Sequence, residues 1–267
     1  MMKNIMDSDM FRGPGPSEVR LSNPPLAKVL CQITFPVIIS VENKVFIAPF
    51  HNAIRREYPL LTKEQGFEIS LSKQGGEVQE KIIWRMEDES KTWRISLGEN
   101  FIALETSMYS GRGDFLKVLS FVLQNAYEHL NPGTVERIGL RYINRLPFSG
   151  VKELSRLMKP KAMGIMSESV ESITDSFFAE LQLRADEHIK VVGRWGTMPE
   201  NNSIDPTILK PVDYRSWIID LDAVTFQKIP FDSEQICEVA HRLGDLDYRF
   251  FRFLITDAFL TNFGGTV

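Results

Sequence analysis

The sequence predicts an α+β fold: antiparallel sheets packed by long helices, with two similar lobes as one arrangement open to it. Three observations carry this. Short segments with period-two alternation recur through residues 27–109 and again through 177–221, as strands do. Each series is followed by a long segment with helical apolar spacing, Phe115–Leu130 and then Asp232–Thr261. The strands of the first series are separated by turn residues at regular intervals, which is the pattern of an antiparallel meander.

Residues 1–22 are polar and carry Gly13-Pro14-Gly15-Pro16, so they have little to bury and form a tail. Asn23-Pro24-Pro25 marks the entry to the fold. Ala27, Val29, Cys31, Ile33 and Phe35 then fall on one side of a strand that Pro36 ends, and Val37–Val41 extends it past a bulge. A short helix starts at Pro49, because proline fits the first helical turn, and ends at Pro59. Four strands follow, Phe67–Leu71, Lys81–Met86, Thr92–Leu97 and Phe101–Tyr109, with turns at Gly75-Gly76, Asp88–Lys91 and Gly98–Asn100. Asp114 caps the helix Phe115–Leu130, whose broad apolar face implies burial between two layers, and Asn131-Pro132-Gly133 stops it.

The segment Thr134–Phe148 is the next strand. Val151–Met158 forms a short helix, and residues 149–174 serve as a connector. Phe177–Ala185 and Ile189–Trp195 make a hairpin around Asp186-Glu187-His188. Residues 197–212 are a long polar loop, the kind of connection that is mobile or functional, and Tyr214–Leu221 returns as a strand. Asp232 then caps the last helix, with Gln235 at the third position and a Phe231–Ile236 staple. It runs toward Thr261 with an irregularity at Gly244, carries Asp245 and Arg249 as an i, i+4 pair, and ends at Gly264-Gly265. The domain reading is a 1–22 tail, a lobe over 23–148, the 149–174 connector and a lobe over 175–267, or one continuous domain.

Composition bounds the function. The chain has 267 residues, 43% hydrophobic and 25% charged, which is ordinary for a globular protein with a proper core. A net charge of −4 argues against a dedicated nucleic-acid-binding protein but permits a local basic stripe. Two cysteines, Cys31 and Cys237, are too few for a disulfide framework. No apolar run approaches the ~20 residues of a membrane span, and no signal-peptide core is visible. The expectation is a cytoplasmic protein with reduced thiols and no membrane partner.

The patterned chemistry lies in the strand beginning near Arg137. At period two, one face reads Ile138, Leu140, Tyr142, Asn144, Leu146 and the other Arg137, Gly139, Arg141, Ile143, Arg145. Alternate side chains on a strand are ~6.6 Å apart, which puts neighbouring arginines of this row, four residues apart, at ~13 Å; their guanidinium groups suit either the phosphates of a ligand or the carboxylates of flanking strands. Arg112 adds a cation where a helix begins, although a plain turn and cap explains Gly111–Asp114 equally. Glu105, Asp220, Asp222 and Asp257 are the candidate counter-charges. Glu105, Asp220 and Asp222 are alternatively carboxylates for Mg²⁺ or for acid–base chemistry.

Cys237 and His241 are i, i+4 on one helix, but two ligands do not make a metal site. No phosphate-binding glycine loop and no nucleophile elbow is present. No catalytic residue, cofactor or metal is assigned. The leading reading is non-enzymatic binding of an anionic small molecule or acidic protein partner through Arg137, Arg141 and Arg145, with Arg112. The alternatives are a metal-dependent nuclease or phosphoesterase-like enzyme, and a protein-interaction module whose arginines are structural.

Four segments together resemble a known family. They are Asn23-Pro24-Pro25-Leu26, Gln32-Ile33-Thr34-Phe35-Pro36, Leu104-Glu105-Thr106 with Tyr109, and above all Arg137-Ile138-Gly139-Leu140-Arg141-Tyr142-Ile143-Asn144-Arg145. They resemble a sporadically distributed family of bacterial and archaeal proteins of about this length that has no established activity. The resemblance covers nearly the whole chain from Asn23 and implies a single full-length unit. It carries over no catalytic residues. The sporadic distribution is similar to that of mobile or defence-associated genes, which implies a defence or toxin–antitoxin setting.

Overall fold

The computed structural model describes residues 10–72 and 75–266, with the backbone alone over residues 66–72 and 75–80. The fold is α+β. Nine strands hydrogen-bond into one antiparallel sheet in the order β2-β3-β4-β5-β1-β7-β10-β9-β8, with long helices packed on it. Nothing in it supports two similar lobes: four strands lie beyond β1 on one side and three beyond β7 on the other.

In chain order the elements are β1 (Leu26–Thr34), α1 (Lys44–Ile54), β2 (Leu60–Ser72), β3 (Gly75–Glu87), β4 (Trp93–Gly98), β5 (Phe101–Thr106) and α2 (Arg112–Leu130). Then follow β6 (Thr134–Val135), β7 (Arg137–Pro147) and three short helices, α3 (Val151–Leu157), α4 (Pro160–Met163) and α5 (Glu168–Glu171). The chain closes with β8 (Phe177–Arg184), β9 (Ile189–Met198), β10 (Ser216–Thr225), β11 (Ile229–Pro230), α6 (Ser233–Leu254) and α7 (Asp257–Asn262). β6 and β11 form a separate two-stranded pair.

The chain divides into two compact units. One comprises Val29–Leu140 and Val224–His241; the other comprises Met1–Lys28, Arg141–Ala223 and Arg242–Val267. In the first, alternate residues of the meander strands point inward, so that Cys31, Ile33, Ile95, Leu97, Ile102 and Leu104 are buried with Phe115, Leu119 and Leu123 of α2. Trp93 stacks on Phe115 with ring centroids 5.9 Å apart. In the second, Trp217 is fully buried and stacks on Phe177, and Trp195 meets the Phe250 ring edge-on. Gly193 makes room for that ring: a Cβ there would lie 2.4 Å from it.

Several boundaries differ from the sequence reading for local reasons. Val37–Val41 does not extend β1; Ile39–Glu42 is a 3₁₀ turn, held where the Trp84 indole donates to the Val41 carbonyl at 2.8 Å. The first helix starts before Pro49, because the Asn43 side chain accepts the Val45 N–H and caps it a turn earlier. Gly75 and Gly76 begin β3 opposite Ser72 and Leu71 instead of forming a turn. α2 also starts early, at Arg112, with Gly111 in the cap position. Asp114 lies in the first turn, accepting from Ser110 Oγ and facing Lys117.

The last helix breaks at Ile255–Thr256, and Gly244 lies inside α6. There the chain bridges to the end of α3: Ile255 pairs with Met158, Thr256 N–H donates to the Leu157 carbonyl, and Lys159 N–H donates to the Leu254 carbonyl. Thr256 then caps α7.

Residues 10–22 run against α6. The Arg249 guanidinium donates to the Met10, Arg12 and Gly13 carbonyls, and the Tyr248 hydroxyl bonds Val19 N–H and the Ser17 carbonyl. Arg249 therefore serves the N-terminal segment. The first nine residues of the expected tail lie outside the described residues.

Candidate anion-binding site

The arginines of β7 lie in different environments. Arg137 donates to Gln32 Oε1 at 3.1 Å, and its guanidinium lies over Gly139, where a Cβ would meet Nη2 at 2.7 Å. Glycine at that position is what lets the side chain fold back along its own strand.

Arg141 is committed to carboxylates. Its Nε and Nη2 donate to the two oxygens of Asp220 at 2.7 and 2.8 Å, and Asp205 approaches Nη1 at 3.8 Å. Asp220 is 1% exposed and also faces Arg194 of β9 at 3.9 Å, while Arg194 in turn holds Glu180 of β8 at 2.7 Å. A ladder of alternating charge thus crosses β8, β9, β10 and β7. Burial by itself would lower the Arg141 pKa; the Asp220 hydrogen bonds and the charges of Asp220, Asp222 and Asp205 outweigh it and raise the pKa. Asp222 contributes to this field from the next outward position on β10.

Arg145 is different. Its Nη1 donates to the Lys210 carbonyl at 2.7 Å, but Nε and Nη2 are buried with no hydrogen-bond partner among the described residues. Burial lowers its pKa, and the Tyr214 phenol opposes that. Phe148 N–H donates to the Arg215 carbonyl and Arg141 pairs with Asp220, so β7 and β10 run in a register that puts Ser216, Ile218 and Asp220 on the Arg145 face. The Ser216 hydroxyl on that face is also buried and has no hydrogen-bond partner among the described residues.

The loop over residues 199–215 covers this face. Ile204, Ile208 and Leu209 pack on Ile143, Ile218 and Met198. Asn201 N–H closes the loop onto the Val212 carbonyl, and Asp205 is turned toward Arg141 while accepting from Thr207. The sequence reading missed this cover, whose signal is the few apolar residues, Ile204, Ile208, Leu209 and Val212, in a largely polar stretch. It also missed Arg194, which shares a strand face with Lys190 and Val192.

The remaining candidates are engaged elsewhere. Glu105 is buried beside Arg94, which joins it at 3.4 Å to Glu87 at 2.8 Å. Arg112 is buried at the first residue of α2. Asp257 is exposed in the first turn of α7 and accepts from Arg252 at 2.9 Å. Cys237 and His241 line an open groove between α2 and α6 with Ser120, Gln124, Glu234 and Glu238. Burial pushes the Cys237 thiol up to about 11. Among the described residues no three His, Cys, Asp or Glu side chains come together as a metal set, and no helix is long and apolar enough to cross a membrane.

Against known proteins, the chain matches no family model and no curated sequence.

Proposed function

We propose that this chain is a non-enzymatic binding protein for an anionic ligand or acidic partner segment, and that Arg145 makes the contact. One observation carries the reading. The Nε–Nη2 edge of Arg141 grips a carboxylate, and the same edge of Arg145 is buried with no partner among the described residues. A buried donor left unmade costs ~1–3 kcal/mol, and that edge fits a carboxylate or phosphate bidentately. The Ser216 hydroxyl on the same face is available as a further donor. Binding requires the 199–215 loop to lift from the face it covers.

The metal-dependent nuclease or phosphoesterase reading has no observation in its favour, because Glu105 and Asp220 are engaged by arginines. The cytoplasmic setting belongs to the same proposal and is supported by two free cysteines. So do membership of the sporadically distributed family and a defence or toxin–antitoxin role, which rest on the Arg137–Arg145 motif.

The test is a thermal-shift titration of wild type and Arg145→Gln with inorganic phosphate, a nucleotide, a short oligonucleotide and a Glu-rich peptide. One anion class raises the wild-type Tm in proportion to its occupancy and leaves Arg145→Gln unmoved. A folded wild type that responds to none of the four sinks the proposal.

A further inference from the structure

We infer that this protein self-associates by pairing the edge strand β8 with β8 of a second copy, extending the sheet through a two-fold axis. β8 ends the sheet order, so alternate backbone N–H and C=O groups along it point away from β9. Edge strands of monomers are blunted by proline, charged side chains (lysine above all), bulges or brevity. β8 is FFAELQLR: it has no proline or lysine, and its charges are Glu180, which Arg194 of β9 holds, and Arg184. It pairs with β9 over all eight residues without a bulge and leaves Phe178 42% and Leu181 37% exposed. Those two side chains lie on opposite sheet faces, so a lid on one face would cover only one of them. A strand added at the edge reaches both.

The occupant is argued from the register. In a two-fold antiparallel pair, opposed residues share a face, so their numbers add to a fixed even total. A total of 360 sets Glu180 against Glu180 of the second copy, a like-charge pair that is destabilising. Totals of 358 and 364 leave only residues 177–181 or 180–184 paired within the strand. A total of 362 pairs residues 178–184 throughout and opposes Leu181 to Leu181, Ala179 to Leu183, Glu180 to Gln182, and Phe178 to Arg184. Each of these pairs is compatible: two are apolar, one hydrogen-bonds and one sets a cation beside an aromatic ring. Arg184 has no ion-pair partner among the described residues, and this arrangement sets its guanidinium against the Phe178 ring of the second copy. The strand thus complements itself in sequence as well as in backbone.

The experiment uses the full chain. Multi-angle light scattering across a concentration series gives twice the chain mass for wild type at the upper end. Leu181→Lys, which opposes two ammonium groups at the axis, gives the single-chain mass with its Tm retained. Leu181→Cys forms a disulfide dimer on mild oxidation, because opposed strand residues are close enough for one; wild type and Leu183→Cys do not. A wild type that stays monomeric, a dimer that survives Leu181→Lys, or cross-linking through Leu183→Cys in preference to Leu181→Cys overturns the inference.

Discussion

Asp220 is nearly inaccessible and lies between two guanidinium groups, so its charge is tolerated only while they remain. Replacing one member of a buried ion pair strands the other, at ~3–5 kcal/mol. Asp220→Asn and Arg141→Ala are each expected to lower urea-denaturation stability by about that amount, and Arg141→Met with Asp220→Leu together to recover most of it. Equal additive losses in the double variant would mean that the two side chains do not form a unit. The Cys237 thiol gives a second test at this scale. Its folded pKa is raised above the ordinary 9.0 to about 11, so the fold favours the neutral thiol. The stabilisation it provides is present below pH 9 and is lost as pH rises through 11. At pH 8 its thiolate population is about a hundredth of that of an unperturbed thiol. Maleimide labelling of the native protein at pH 8 should be slower than that of a free-cysteine peptide by a similar factor. The sequence exposes the alternation of arginines and the acids that answer them. It does not expose which acid answers which arginine, because Asp220 and Arg141 are far apart in the chain and meet only through strand pairing.

Caps and glycines decide where elements begin and end. Asp232 accepts the Gln235 N–H at 2.8 Å, as its spacing predicts, and Asp232→Ala is expected to cost ~1 kcal/mol in a chemical melt. Asp114 looks equivalent in sequence, yet Gly111 holds the α2 cap position, so Asp114→Ala should cost a few tenths of that. A difference of this size between two aspartates separates a cap from a first-turn charge. Gly196 presents a harder constraint. Its φ is +155°, and a Cβ would meet the Phe177 carbonyl oxygen at 1.9 Å. Gly196→Ala must push β8 and β9 apart at that point, and a loss of ~2 kcal/mol or more is expected. Periodicity located most strands and both long helices. It missed the break between α6 and α7, because the apolar rhythm continues through it and the interruption comes from backbone bonds to α3.

At the scale of the whole chain, both units are discontinuous in sequence. The unit holding Val29–Leu140 also needs Val224–His241, and the boundary between the units passes through β7 and α6. A fragment ending at residue 148 therefore lacks part of its own unit. It is expected to show no cooperative thermal transition, measured by circular dichroism, whereas the full chain melts cooperatively. A sharp melt from the fragment would support a lobe over 23–148.

The amino-acid sequence alone determined the α+β class, most of the strands, both long helices, the inward faces and the basic strand. Each of these depends on neighbours within a few residues, and side-chain period and turn chemistry record them directly. Tertiary structure alone decided that β1 and β7 lie side by side within one sheet, that Arg141 is neutralised while the corresponding edge of Arg145 is not, and that the 199–215 loop covers their face. Those are matters of register and long-range pairing. They are settled by which segments come to share hydrogen bonds and buried area, and no local pattern encodes that choice.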